Sequence, residues 1–308
     1  MTKRRVTNVA ASVRRRLQAV AQSTGRPFQE VLQYYAMERF LYRLAQSPHA
    51  DRFVLKGALM FNAWRAPTSR PTKDIDLLGR MENSTGALAA AMRDVCRQTV
   101  EDDGLVFDHE SIEGAVIKED ADYEGVRVTF RGSLQNARIA MQIDIGFGDV
   151  MFPGPELTDY PTILDHAAPR LRGYARETAV AEKFEAMVKL GLLNTRMKDF
   201  YDIWLLSRRF DFDGAKLATA IEKTFANRGT AVEEHPASFS SAFANDSTKA
   251  TQWQAFVRKT RLADAPSELA SVVASIAAFL SPPAAAIHRG QPFGQIWRAP
   301  GPWASLRA

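Results

Sequence analysis

The chain has 308 residues, 46% hydrophobic and 24% charged, with a formal net charge of +5. That is an ordinary globular composition, and the length suits two domains with room for a substantial core. A single cysteine, Cys96, excludes an internal disulfide and fits a reducing cytoplasm. The basic N-terminus lacks the apolar core of a secretory signal, and the most apolar stretch, 269–280, is too short to span a bilayer and ends at Pro282-Pro283.

Residues 8–22 and 27–46 read as two helices separated by Gly25-Arg26-Pro27, the second with Phe28, Val31, Leu32, Tyr35, Phe40, Leu41 and Leu44 at helical spacing. Residues 1–50 hold nine Lys or Arg against two acids, a net +7, so the remainder of the chain carries −2. A basic arm containing Arg14, Arg15 and Arg16 suits a polyanionic substrate such as RNA. A solvated basic helix is the plain alternative.

A short strand at 53–55 then leads through Gly57 into a helix over 58–66. Glycine allows a tight turn and close backbone approach. A strand, a glycine turn and a helix N-terminus together offer outward-facing N–H groups to phosphate. The strand expected at 74–79 carries two carboxylates. Alternation sends Asp74 and Asp76 to one face and Ile75 and Leu77 to the other. Carboxylates so placed can hold one or two Mg²⁺ ions, which can clamp both oxygens of an in-line phosphoryl displacement.

Beyond a helix at 84–99, with Cys96 on its core side, come β-rich segments at 105–118, 125–133 and 138–147, the last two forming a hairpin around Leu134-Gln135-Asn136. In the final strand Met141, Ile143 and Ile145 share one face, and Gln142 and Asp144 share the other. An Asp in mid-strand disfavours the strand, so Asp144 marks either a solvated face or a third ligand.

Helices dominate thereafter, at 176–192, 198–209, 213–227, 248–260 and 266–280, with a polar, irregular connection over 228–247. Lys183 falls on the edge of an apolar helix face, where it must snorkel or meet an anion. Asp199 and Asp202 share a face of the next helix. Asp199 can cap that helix. Asp202 lies too far inside to cap and needs a cation, Lys183 or Lys198. The five histidines are scattered without metal-like spacing, and none is expected to be catalytic.

The order Leu55-Lys56-Gly57, then Arg70-x-Thr72-x-Asp74-Ile75-Asp76-Leu77, then Ile143-Asp144-Ile145 resembles the polymerase-beta-like nucleotidyltransferase superfamily. More narrowly it resembles the AbiEii/AbiGii toxin family, supported by Ala181-Glu182-Lys183-Phe184-Glu185-Ala186 and by Arg196-Met197-Lys198-Asp199-Phe200-Tyr201-Asp202-Ile203-Trp204. The likeness covers roughly residues 10–280. One departure is Gly57-Ala58, where many members carry Gly-Gly or Gly-Ser. The backbone donors remain, but a serine hydroxyl is missing.

The resemblance implies a Mg²⁺- or Mn²⁺-dependent nucleotidyltransferase toxin, with NTP as co-substrate, the 3′ end of tRNA as acceptor and a separately encoded antitoxin. Asp74, Asp76 and Asp144 would hold the metal. Lys56, Gly57, Ala58, Arg70, Thr72, Lys198 and Asp199 would line the nucleotide site, with Lys183 and Asp202 closing over it. A phosphate on Thr72 would add about −1.5 to −2 charges beside the metal site, so a kinase-like antitoxin acting there would silence the enzyme. Two rivals are a nucleotidyltransferase acting on a protein or small molecule and a non-catalytic nucleic-acid-binding module.

The expected fold is α/β (α+β). Residues 1–50 form a basic helical segment packed on the core, and 51–160 form a nucleotidyltransferase core with a mixed sheet. Residues 161–280 form a helical domain completing the cleft, and 281–308 an extended tail. The chain is expected to be a cytoplasmic monomer without membrane contact.

Overall fold

The computed structural model describes residues 8–66, 70–120 and 123–305. The chain divides into two compact units. One comprises Met1–Arg65, Thr72–Gly148 and Glu156–Gly173, the other Ala66–Pro71, Asp149–Pro155 and Tyr174–Ala308. The N-terminal helices therefore belong to the unit that carries the large sheet.

In the first unit, helix α1 (Val9–Thr24) starts at Asn8, whose side chain accepts the Ala11 N–H, and stops at Gly25 with φ +67°. Helix α2 (Phe28–Gln46) follows, then strand β1 (Phe53–Lys56), helix α3 (Leu59–Ala63) and strand β2 (Ile75–Gly79). Helix α4 (Thr85–Arg97) is capped by Ser84, which accepts the Ala87 N–H. Three longer strands come next, β3 (Leu105–Asp120), β4 (Tyr123–Leu134) and β5 (Ala137–Gly146), then β6 (Glu156–Asp159) and β7 (Arg170–Gly173).

These seven strands make one mixed sheet in the order β3-β4-β5-β2-β1-β7-β6. β2 runs parallel to β5 and β1 parallel to β7, and the other pairings are antiparallel. The apolar alternation sets the register in the middle. Ile75 pairs with Ile143 and Leu77 with Ile145, and all four side chains are fully buried. The intervening positions place Asp76 directly opposite Asp144.

Much of the N-terminal charge is internal. Arg39 and Arg43 are buried and donate to the Asp103 carboxylate at 3.1 and 2.6 Å. Buried Glu38 accepts the Ile163 N–H at 2.7 Å. Arg26 pairs with Glu30 in the next turn. Among the described residues the basic arm expected from composition is thus reduced to its first helix, because a guanidinium drawn into the core needs an anion beside it. Lys3, Arg4 and Arg5 lie outside the described residues.

The second unit contains α5 (Arg176–Leu190), α6 (Met197–Arg209), β8 (Phe212–Asp213), α7 (Gly214–Asn227), α8 (Ser241–Ala244), α9 (Ser247–Thr260), α10 (Leu269–His288), β9 (Gln295–Trp297) and β10 (Trp303–Ser305). The last helix departs from expectation, since it runs through Pro282-Pro283 for 20 residues. Pro283 has no N–H for the Phe279 carbonyl four residues back. That carbonyl accepts the Trp303 indole N–H at 2.8 Å instead. Among the described residues the tail, 281–305, is likewise not extended. β9 and β10 complete a three-stranded sheet with β8, and the buried Trp297 donates to the Ser207 carbonyl at 2.6 Å.

By length and composition α10 is also apolar enough to cross a membrane, contrary to the estimate from the segment ending at residue 280. Here it buries Leu269, Val272, Val273, Ile276, Phe279, Leu280 and Ala284 in a helical stripe and contacts α6 and α7.

Candidate active site

Asp74 lies in the bend just before β2, not within the strand as alternation suggested, and Asp76 is the second residue of β2. With Asp144 on β5 they form a group whose ligand oxygens all lie within 4.8 Å of one another. Asp144 is the most enclosed of the three, at 7% exposure. Register explains the convergence. Paired residues of neighbouring strands project to the same face, so in-register carboxylates on parallel strands must meet.

The same level of the sheet continues on both sides. Lys56 on β1 stands opposite Asp76, and Arg127 on β4 stands opposite Asp144. Across four adjacent strands the row reads Arg127, Asp144, Asp76, Lys56, two cations flanking two anions. Arg127 grips Asp144 with both arms of its fork, Nε to Oδ1 and Nη2 to Oδ2, each 2.8 Å. Hydrogen bonding to Asp144 pushes the Arg127 pKa up, and the charges of Asp74 and Asp76 push the same way. The Gln142 amide also donates to both oxygens of Asp144, at 3.3 and 3.2 Å.

Gly57 closes one side of the group. Its φ is +69°, and an added Cβ would overlap the Asp76 carboxylate, lying 2.6 Å from Cγ and 2.8 Å from Cβ. Helix α3 behind it has five residues, shorter than the sequence suggested, so few peptide dipoles add at its start. The glycine is required by the approach of Asp76, a demand separate from phosphate binding. Ala58 is buried beside it. Thr72 is buried too. Its hydroxyl donates to Asp74 Oδ1, and its N–H donates to the Tyr34 hydroxyl at 3.0 Å.

Three hard oxygen donors suit Mg²⁺ or Mn²⁺ and offer nothing to a thiol-seeking metal. Among the described residues this is the group of His, Cys, Asp or Glu with the spacing to hold a metal ion.

A separate ionic network lies in the second unit. The Lys183 ammonium sits 3.0 Å from Asp199 Oδ1 and 2.9 Å from Asp202 Oδ2. Arg70 donates to both oxygens of Asp202, Nε at 3.1 Å and Nη2 at 3.2 Å. Arg196 lies 2.7 Å from Asp199. Burial alone would lower the Lys183 pKa, but Asp199 and Asp202 outweigh it and hold it above the ordinary value. Burial would raise Asp199, yet Lys183, Arg196 and Lys198 bring it down to about 2.

Asp202 thus takes Lys183 as its cation, with Arg70 beside it, while Lys198 is exposed. Asp199 does not cap its helix. Arg196 occupies the cap position of α6 without a side-chain cap bond, and Asp199 serves the ionic network. Glu185 faces elsewhere, accepting from Arg228 at 3.0 Å and Thr230 at 2.5 Å. On α1, Arg15 is exposed, Arg14 half-buried, and Arg16 pairs with Asp165.

Sequence reasoning missed Arg127, although a signal was present. The β4–β5 turn pairs Leu134 with Ala137. Counting seven residues outward on each side brings Arg127 opposite Asp144.

The fold and the cluster define a mixed α/β protein with a three-carboxylate group, two of its members on the central strands β2 and β5 and one in the bend before β2. Residues 39–280 match the family described as nucleotidyl transferase AbiEii toxin of type IV toxin–antitoxin systems, and the chain belongs to that family. Comparison with curated proteins gives no match. Two Helicobacter pylori structures are similar, each with 15% identity and a TM-score of 0.48 over 85% of this chain. One is JHP933, of which 93% is covered. The other is a provisionally assigned nucleotidyltransferase, of which 96% is covered.

Proposed function

We propose that the protein is a Mg²⁺- or Mn²⁺-dependent nucleotidyltransferase toxin. It moves a nucleoside monophosphate from an NTP to RNA, with the 3′ end of tRNA as acceptor, and so blocks translation in the cytoplasm. A separately encoded antitoxin restrains it. The observation that carries this reading is the convergence of Asp74, Asp76 and Asp144 at the central strands β2 and β5 of a chain in the AbiEii family.

The reaction is in-line attack of an acceptor hydroxyl on the α-phosphorus. A new P–O bond forms as the bond to the bridging oxygen breaks, and pyrophosphate leaves with that electron pair. A divalent cation held by Asp74, Asp76 and Asp144 would offset charge on the triphosphate and acidify the acceptor hydroxyl. Asp144 is the residue we assign to take the hydroxyl proton on a carboxylate oxygen. Thr72 fixes Asp74 through its hydroxyl, and Gly57 leaves room for Asp76. Lys56, Ala58 and Arg70 are assigned to positioning the nucleotide. The Lys183–Asp202 pair, with Asp199 and Lys198, is assigned to nucleotide affinity, so Lys183→Met should weaken NTP binding. Arg14, Arg15 and Arg16 are assigned to RNA, and the acting species is the monomer.

The test is incubation with each α-labelled NTP and total RNA or lysate, followed by separation of the labelled species. Label on the 3′ end of tRNA is the expected result. Label on a protein or small molecule would replace the acceptor, and no label with any NTP would contradict transfer.

A further inference from the structure

In this structure both oxygens of Asp144 are engaged by a guanidinium. Arg127 binds them side-on at 2.8 Å each, the geometry in which an Arg fork is strongest. Three carboxylates within 4.8 Å repel one another, and Arg127 supplies positive charge where a divalent cation would otherwise do so. Its own surroundings are asymmetric. The Asp144 side chain is 9% exposed and the Arg127 side chain 41%, so the guanidinium has room to leave while the carboxylate does not. A residue whose only role was to hold β4 to β5 would gain nothing from this placement, since Val126, Val128 and Phe130 already bury their side chains along the same strand.

We propose that Arg127 is the resident counter-ion of the carboxylate group and exchanges with the divalent cation. Without nucleotide the guanidinium holds Asp144 and opposes cation entry. A cation that takes Asp144 frees Arg127, whose fork then serves a phosphate of the incoming substrate. The free protein therefore binds cation poorly, and the site fills with cation and nucleotide together. Arg127 on this account has two successive partners, Asp144 in the free protein and a substrate phosphate once the cation is bound. The inference rests on the reading of Asp74, Asp76 and Asp144 as cation ligands.

The experiment is calorimetric titration of Mn²⁺ into nucleotide-free wild type, Arg127→Met, Arg127→Lys and Asp144→Asn, with the thermal shift on adding Mn²⁺ measured in parallel. Removing a unit charge next to a divalent ion should tighten Mn²⁺ binding by roughly tenfold or more in Arg127→Met. Arg127→Lys should fall between it and wild type, and Asp144→Asn should bind more weakly than wild type. Arg127→Met should also show a larger Mn²⁺-induced thermal shift. Should Arg127→Met not fold, Arg127→Lys still decides, because it keeps the charge and loses the fork. Binding by the Arg127 variants equal to or weaker than wild type, with wild type binding, overturns the exchange and leaves the cation reading standing. Absence of Mn²⁺ binding in every variant overturns both.

Discussion

Gly57→Ala should damage the protein in two separable ways. At φ +69° a Cβ costs on the order of 1–2 kcal/mol by itself. The second effect is the overlap with Asp76. Ordinary contact begins at 3.4 Å, whereas the new methyl would lie 2.6 Å from Cγ and 2.8 Å from Cβ. Rotating Asp76 about χ1 moves Oδ2 and Cγ but not Cβ, so the β1–β2 backbone must also part. The displacement needed at Cγ is roughly 0.8 Å, the difference of those distances. Overpacking of that kind adds on the order of 1–3 kcal/mol, and a shift near 1 Å in a catalytic group costs about 10²-fold in rate. Gly25→Ala is the matching control, because Gly25 has φ +67° and nothing within 4 Å of the added Cβ. Urea denaturation should show Gly57→Ala losing clearly more stability than Gly25→Ala, and only Gly57→Ala should lose nucleotide transfer. Equal losses of stability, or transfer within a few-fold of wild type, would refute the reasoning.

Burial pushes the Glu38 carboxyl up to about 7, against bonding to Ile163 and Arg39 that lowers it. Its protonated form therefore stabilises the fold fully below about pH 4.5, and that contribution is lost as pH rises through about 7. Glu38→Gln should gain on the order of 3 kcal/mol over wild type between those limits in urea titrations; parallel pH profiles would contradict this. Trp303→Phe keeps a ring against Phe279 but strands the carbonyl that Pro283 cannot serve, and should cost about 1–3 kcal/mol in the same assay. Thr72→Glu places a fourth carboxylate beside Asp74 and should stop transfer, whereas Thr72→Val should stay within about tenfold of wild type. Normal transfer by Thr72→Glu would sink the view that charge at this position controls the site.

The parts of the fold that could be read from sequence are those where burial enforces a period. β5 shows it best, since Met141, Ile143 and Ile145 are buried and Asp144 necessarily faces the other way. The opposition of Asp76 and Asp144 was less legible. Alternation puts each carboxylate on a face but does not say that β2 and β5 are neighbours. β6 and β7 went unseen because four-residue strands such as Glu156–Asp159 are mostly exposed and carry no apolar alternation. The helix through Pro282-Pro283 contradicts the local signal outright. It depends on Trp303, twenty residues downstream, accepting the role of missing backbone donor. The need of Asp202 for a cation was legible from its place inside a helix, but spacing left Lys183 and Lys198 both open, and Asp199 was misread as a cap because first-turn position alone does not reveal a lysine on another helix.

The central claim is that Asp74, Asp76 and Asp144 carry a cation-dependent nucleotidyl transfer. The most direct measurement is transfer of α-labelled NTP to RNA by wild type, Asp76→Asn and Asp144→Asn, with and without added Mg²⁺, using circular dichroism to confirm that the variants are folded. The account predicts Mg²⁺-dependent labelling by wild type and none by either folded variant. Full labelling by Asp76→Asn, or wild-type labelling unaffected by chelation of divalent ions, would contradict it.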